Sequence, residues 1–186
     1  TWTTPDGVLY ITGEVTNHGT EPVSLVPVRA LQIDDNGNGL AEAVDVVMGY
    51  TLRPETFLPF SLRFGQGQVA GATRYGVVVG SDDWNPDEVL EIIGEEQFDW
   101  TDESNFNDTG QLFITGNITN NSLEDARDTK IIVTVFDDKQ EVIASAFQDV
   151  QPAILKAGET TDYSLLVADV GGTPVTYILT VQALPC

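Results

Sequence analysis

The chain states one passage twice. Residues 9–17 read LYITGEVTN and residues 112–120 read LFITGNITN, 103 positions apart and identical at six of nine positions. Two of the three exchanges, Tyr10 for Phe113 and Val15 for Ile118, keep the physical character of the side chain. A period near 100 residues is too long for a solenoid repeat and suits one small, independently folding unit. The 186 residues therefore divide into a first unit over 1–80, a connecting segment over 81–108 and a second unit over 109–186.

Leu9, Ile11, Gly13 and Val15 alternate with Tyr10, Thr12, Glu14 and Thr16, the period of a strand with one face inward. Leu112, Ile114, Gly116 and Ile118 repeat it. The β-branched and apolar stretches 25–33 and 130–136 follow, each running into an Asp-Asp pair, Asp34-Asp35 and Asp137-Asp138, again 103 apart. Beyond these pairs the copies diverge in length but keep their grammar. Stretch 44–52 answers to 142–150, the turn RPET (53–56) to AGET (157–160), 57–64 to 161–167, and 75–79 to 177–181. Six or seven short strands per copy predict an all-β chain: two tandem immunoglobulin-like antiparallel β-sandwiches. The segment 81–108 holds eleven acids and no Lys or Arg. Within it Asn85-Pro86-Asp87-Glu88, then Val89, Leu90, Ile92, Ile93 and Gly94, reads as cap, first turn, apolar spacing and stop, so one short helix is expected in an acidic linker.

The order GxVxN, an apolar strand ending in an acidic turn, a Pro/Gly-Glu-Thr turn and a last aromatic-led strand resembles the FxLYD-type family of prokaryotic surface domains, over 7–80 and 110–184. Gly13-Glu14-Val15-Thr16-Asn17 and Gly116-Asn117-Ile118-Thr119-Asn120 match its opening motif. Val133-Thr134-Val135-Phe136-Asp137 occupies its Phe-x-Leu-Tyr-Asp position, and Ala30-Leu31-Gln32-Ile33-Asp34 is a looser match. The resemblance implies immunoglobulin-like sandwiches outside the cytoplasm with no catalytic role, and it supplies no catalytic residues.

Eight basic against 29 acidic residues give a net charge of −21. Such a surface repels nucleic acid and anionic membranes and draws counter-cations. No apolar run approaches the ~20 residues that membrane insertion needs, and the absence of a leader-like start reads as a processed or excised segment. The lone cysteine, Cys186, excludes an intrachain disulfide and a cysteine zinc cluster; it is either an intermolecular tether or an accident of the chain end.

The sharpest candidate site is IDDNGNGLAEAVD (33–45). Taking Asp34 as the first position puts Asn36, Asn38, Leu40, Glu42 and Asp45 at the third, fifth, seventh, ninth and twelfth, with Gly39 at the sixth. That is the spacing with which a loop wraps calcium in oxygens, Leu40 giving its carbonyl. Asn at the third and fifth positions and Asp at the twelfth predict weak affinity. The competing reading is a plain turn made of favoured turn residues. The second copy has Lys139 in its turn and no glycine, so calcium is expected in the first unit alone.

Three glycosylation sequons begin at Asn107, Asn117 and Asn120, and strand alternation places Asn117 outward. Trp2, Trp84 and Trp100 fall at unit borders, either as plugs of a core end or as contacts for glycan or another subunit. His18 lies in a turn, Glu95-Glu96 in a solvated acidic run, and no nucleophile or phosphate motif occurs. The expectation is a non-catalytic extracellular or cell-surface protein: a structural, adhesive or assembly subunit stabilised by calcium, self-associating through edge strands or joining other protein subunits. The alternatives are a glycan- or protein-binding accessory module, and an extracytoplasmic subunit docked on a membrane complex.

Overall fold

In the computed structural model, which describes residues 1–108 and 111–186, the apolar alternation of each copy becomes antiparallel sheet. The first half contains β1 (Trp2–Thr3), β2 (Leu9–Thr16), β3 (Val23–Ser24), β4 (Pro27–Ile33), β5 (Gly39–Val46), β6 (Thr51–Leu52), β7 (Phe57–Phe64) and β8 (Arg74–Val79). These form the sheets β1-β2-β7 and β5-β4-β8, with a β3-β6 ribbon. The second half contains β9 (Phe98–Trp100), β10 (Glu103–Phe106), β11 (Leu112–Asn120), β12 (Ala126–Phe136), β13 (Val142–Asp149), β14 (Ile154–Leu155), β15 (Thr160–Val167) and β16 (Thr176–Pro185). Here β9, β10 and β15 pair with β11, while β13, β14 and β16 pair with β12. Each half has its own apolar cluster, one around Ile11, Val28, Leu58 and Leu62, the other around Ile114, Ile131, Val133 and Leu165.

The repeat is more regular in space than in letters. Leu9 pairs with Phe64 and Leu112 with Val167; Ile33 pairs with Gly39 and Phe136 with Val142. The same 103-residue offset therefore runs without a gap from β2 to the end of β7. Left-handed residues recur in step at Leu25 and Asp128, Gly37 and Gln140, and Glu55 and Gly158. The turn 53–56 is thus the counterpart of 156–159, one residue earlier than the sequence match suggests. After it the second copy is one residue shorter, since Arg74 lies opposite Ile33 but Thr176 opposite Phe136.

The asparagine that ends each GxVxN motif explains part of this constancy. Asn17 donates through Nδ2 to the carbonyls of Glu21 (2.9 Å) and Leu52 (3.0 Å) and accepts from the Gly19 N–H. Asn120 makes the same set to Glu124 and Leu155, both at 2.9 Å, and accepts from the Ser122 N–H. One side chain thereby fixes a loop against a neighbouring strand, satisfying backbone groups that burial would otherwise leave unpaired.

The helix expected over 85–94 does not form. Asn85 closes a turn, taking the Glu88 N–H on its carbonyl and the Asp87 N–H on its side chain. The following residues run extended because fixed partners take their backbone groups. Leu90 N–H donates to Ser24 Oγ, Thr51 Oγ1 donates to the Leu90 carbonyl, and Ile93 exchanges both backbone bonds with Ala183. A short helix, costly to nucleate, cannot compete with those bonds. Only Glu95–Gln97 makes a 3₁₀ turn. The acidic segment then supplies β9 and β10 to the sheet built on β11, so the strands of the second half begin at Phe98.

Between the halves, the outer face of β12 and β13 lies on the outer face of β2 and β7. Thr12 Oγ1 donates to the Val142 carbonyl at 2.8 Å, and Phe57 meets Phe136 edge-on with centroids 6.4 Å apart. Ile132, on the outward side of β12, joins the apolar cluster of the first half. Strand β12 is in consequence buried on both faces from Ile131 to Phe136.

Candidate functional site

The loop singled out for calcium is a hairpin turn. Asp34 Oδ1 accepts the N–H groups of Asn36 (2.9 Å) and Asn38 (2.8 Å), and Oδ2 accepts from Asn38 Nδ2 (2.9 Å). The bonds from the Asn38 side chain and backbone hold the Asp34 carboxyl below the usual carboxylate range. Asp137 does the same work, with Oδ1 accepting the N–H groups of Lys139 and Glu141, both at 2.9 Å. Asp34, Asn36 and Asn38 therefore lie together. Leu40, Glu42 and Asp45 do not join them, because β5 begins at Gly39 and pairs with β4, Glu42 opposite Leu31 and Asp45 opposite Val28. At about 3.3 Å per residue, Asp45 lies roughly 20 Å along the strand from the turn. The six oxygens do not form a wrapped loop, and among the described residues no group of three or more His, Cys, Asp or Glu is placed to hold a metal.

Other predicted residues have structural partners. Asn120 is fully buried with both amide hydrogens engaged, whereas Asn117 is exposed and its Nδ2 contacts Asp162. Asn107 Nδ2 donates to Gln111 Oε1, and Thr109 of its sequon lies outside the described residues. Trp2 stacks on Tyr10, centroids 4.4 Å apart, and lies against Gly171, where an added Cβ would meet the indole at 2.3 Å. Trp84 Nε1 donates to the Ser24 carbonyl, and Trp100 packs on the second cluster. All three tryptophans thus serve borders and seams. Glu96 makes a two-pronged bond with Arg53 (2.8 and 3.1 Å), which lowers its pKa, while His18 and Cys186 are exposed.

What the sequence reading missed is the seam. Gln182 of β16 is buried and accepts from the N–H groups of Tyr50 (2.7 Å) and Thr51 (3.1 Å) while donating to the Thr51 carbonyl (2.8 Å). Tyr50 donates its hydroxyl to the Asp128 carbonyl at 2.7 Å, and Lys130 Nζ sits 4.6 Å from the ring centroids of both Tyr50 and Phe147. Burial pushes the Tyr50 phenol up to about 12, with the charges of Asp128 and Asp149 adding to it. One signal was present: KIIVTVF (130–136) is nearly continuous in apolar residues where one exposed face would demand alternation.

Away from the seam, the outer face of the β5-β4-β8 sheet is open and apolar at Val44, Val46 and Val78. A groove of about 620 Å³ runs between this face and Trp84, past Arg29, Asp82 and Asp83. Neither models of protein families nor curated proteins gave a match to this chain.

Proposed function

We propose that the chain is a non-catalytic structural module of an extracellular or cell-surface assembly, built of two tandem immunoglobulin-like sandwiches of the kind its FxLYD-like motifs suggest. The observation that carries this reading is the seam. Gln182, Tyr50 and Lys130 are engaged in holding one half on the other, and the Arg53–Glu96 pair ties the first half to the connecting segment. A hinged pair of modules would leave such groups in water. A fixed pair presents its outer faces to other protein subunits at a set distance and angle. The acidic surface agrees with an extracytoplasmic place, where it keeps the chain soluble among abundant cations. The reading does not depend on calcium, since the Asp34 turn is closed by its own hydrogen bonds.

Small-angle scattering together with limited proteolysis across 81–108 tests it. The expected result is one scattering envelope without hinge motion and resistance to cutting until the chain unfolds. Rapid cutting into two folded halves that tumble independently would refute it.

A further inference from the structure

We propose that the open side of the first sandwich, between the free edges of β2 and β8, is a strand-acceptor site. It takes an extended segment of a neighbouring protein subunit, antiparallel to β2, with large apolar side chains at alternate positions. The inference rests on the structural-module reading and names the chemistry of the partner.

The second half shows what such a segment does. There β9 lies along β11, with Phe98 opposite Asn120 and Trp100 opposite Ile118, and both aromatic side chains turn onto the core while Asp99 is exposed. In the same cluster Leu179 and Val181 of β16 are 9% and 0% exposed. Their counterparts in the first half are Val77 and Val79. These sit opposite Ala30 and Val28 of β4, both fully buried, just as Leu179 and Val181 sit opposite Val133 and Ile131 of β12. Val77 and Val79 therefore lie on the inward side of β8, yet they are 45% and 49% exposed. Val15 and Asn17 are likewise half-buried where Ile118 and Asn120 are fully covered. Inward-facing valines left in water mark a core that is open on one side.

The backbone agrees. The Asn17 N–H donates to the Thr56 carbonyl beside β7, so strand alternation turns the backbone groups of Glu14, Thr16 and His18 to the opposite edge. Their counterparts are taken: the Asn117 carbonyl accepts the Thr101 N–H (3.0 Å), Thr119 pairs with Asp99, and the Asn121 N–H donates to the Gln97 carbonyl (2.9 Å). Among the described residues, no strand pairs with β2 beyond Tyr10 on this edge. Room for an incoming chain is kept as well. Gly116 makes space for the Thr101 carbonyl, whereas the atoms nearest a Cβ on Gly13 are those of the Phe60 ring, the counterpart of Tyr163.

Free N–H and C=O groups beside an apolar slot are what strand addition uses: main-chain bonds hold the added strand and alternate side chains fill the slot. The pattern that fits is the one β9 carries, two aromatic residues separated by a polar one. At the position of Thr101 the added strand would face Glu14 instead of Asn117, which favours Lys or Arg there in a chain of net charge −21. Each strand of the described chain already lies in a sheet of its own, so the donor is another molecule.

Amide hydrogen exchange of the full chain, with and without a synthetic peptide, tests the edge and its occupant. The probe is the 97–101 sequence QFDWT with its last Thr changed to Lys, capped by Gly-Ser at each end. In the free chain the Glu14 and Thr16 amides are expected to exchange about tenfold or more faster than those of Asn117 and Thr119. The peptide is expected to slow both, at one peptide per chain, and to bind about tenfold or more weakly when its aromatics are replaced by serine. Thr16→Pro removes an N–H that has no partner, so the fold is expected to persist while binding is lost. The double variant Val77→Ser with Val79→Ser is expected to weaken binding about tenfold without lowering the melting temperature. Equal protection of the two pairs of amides in the free chain overturns the proposal. So does absence of binding up to about 1 mM peptide, binding that leaves Glu14 and Thr16 unprotected, or equal affinity for the serine peptide. In each case the structural-module reading would stand, whereas hinge-like scattering would remove that reading and leave the exchange contrast in place.

Discussion

Gln182 holds Thr51 as a neighbouring strand would, its amide donating to the Thr51 carbonyl at 2.8 Å and accepting the Thr51 N–H at 3.1 Å. The side chain comes from one half and the backbone from the other. Gln182→Ala would leave this pair and the Tyr50 N–H without partners in a buried place, at a cost of about 3 kcal/mol. The expected outcome in urea is an earlier midpoint and a transition that separates into two steps as the halves uncouple. A single transition at the wild-type midpoint would show that the amide does not couple them.

The paired asparagines predict matched losses. Asn17→Ala removes two donated bonds and one accepted bond, and Asn120→Ala removes the same three together with the bond accepted from Ser122 Oγ; each is expected to cost about 2 kcal/mol by chemical denaturation. The burial of Asn120 also decides between sequons. In a glycosylating host, intact-mass and peptide mapping are expected to find no sugar on Asn120, leaving exposed Asn117 as the better acceptor; a glycan on Asn120 of the folded chain would contradict the arrangement.

Strand positions were legible because one face of nearly every strand is buried, and burial writes period two into the sequence, as in Leu9, Ile11 and Leu112, Ile114. What local sequence could not settle was decided by partners distant in sequence. Asn85 to Gly94 has the local signals of a helix, yet Ser24, Thr51 and Ala183 decide its backbone. The 33–45 stretch has calcium-loop spacing, but spacing alone cannot say that Gly39 starts a strand which carries Glu42 and Asp45 away. Seam residues such as Gln182 look like ordinary polar strand residues until the other half is present.

Asp34 and Asp137 make equivalent bonds to their turns. If turn closure is their role, Asp34→Ala and Asp137→Ala lower the melting temperature by similar amounts, and the loss for each is the same in calcium and in chelator. The Asp34 carboxyl is held low by the Asn38 bonds, so its share of stability is present at neutral pH and is lost as acid brings the pH down through its lowered pKa. A calcium-dependent gain in the wild type that Asp34→Ala alone abolishes would instead return an ion to this turn.

Two phenols set the alkaline limit. Burial first, then nearby carboxylates, pushes Tyr50 and Tyr163 up to about 12, against about 10 in the unfolded chain. A neutral buried phenol binds its proton more tightly than its unfolded counterpart. Its contribution is complete below pH 10 and falls as the pH rises toward 12, where the unfolded state gains by ionising. Denaturant midpoints measured from pH 9 to 11.5 are expected to decline, and to decline less steeply in a Tyr50→Phe, Tyr163→Phe double variant. Equal slopes in the two proteins would rule the phenols out.

The motif glycines Gly13 and Gly116 occupy equivalent places for different reasons, and the difference can be measured. A Cβ on Gly13 would lie 2.8 Å from Phe60 Cζ, the far end of a ring that can tilt. A Cβ on Gly116 would lie 1.8 Å from the Thr101 carbonyl oxygen, a backbone atom fixed by the Thr101 N–H to Asn117 bond and by the Tyr163 hydroxyl. Overpacking against a side chain costs about 1 to 3 kcal/mol, and more where backbone must move. Gly13→Ala is therefore expected near 1 kcal/mol on that scale, while Gly116→Ala reaches its upper end or beyond, about 3 kcal/mol. Displacing Thr101 also frees Tyr163, so the Gly116 variant should lose part of the alkaline slope that Tyr163 provides, and the Gly13 variant should keep it. Equal costs for the two alanines would mean that the path from β9 to β10 does not press on β11 as closely as the structure places it.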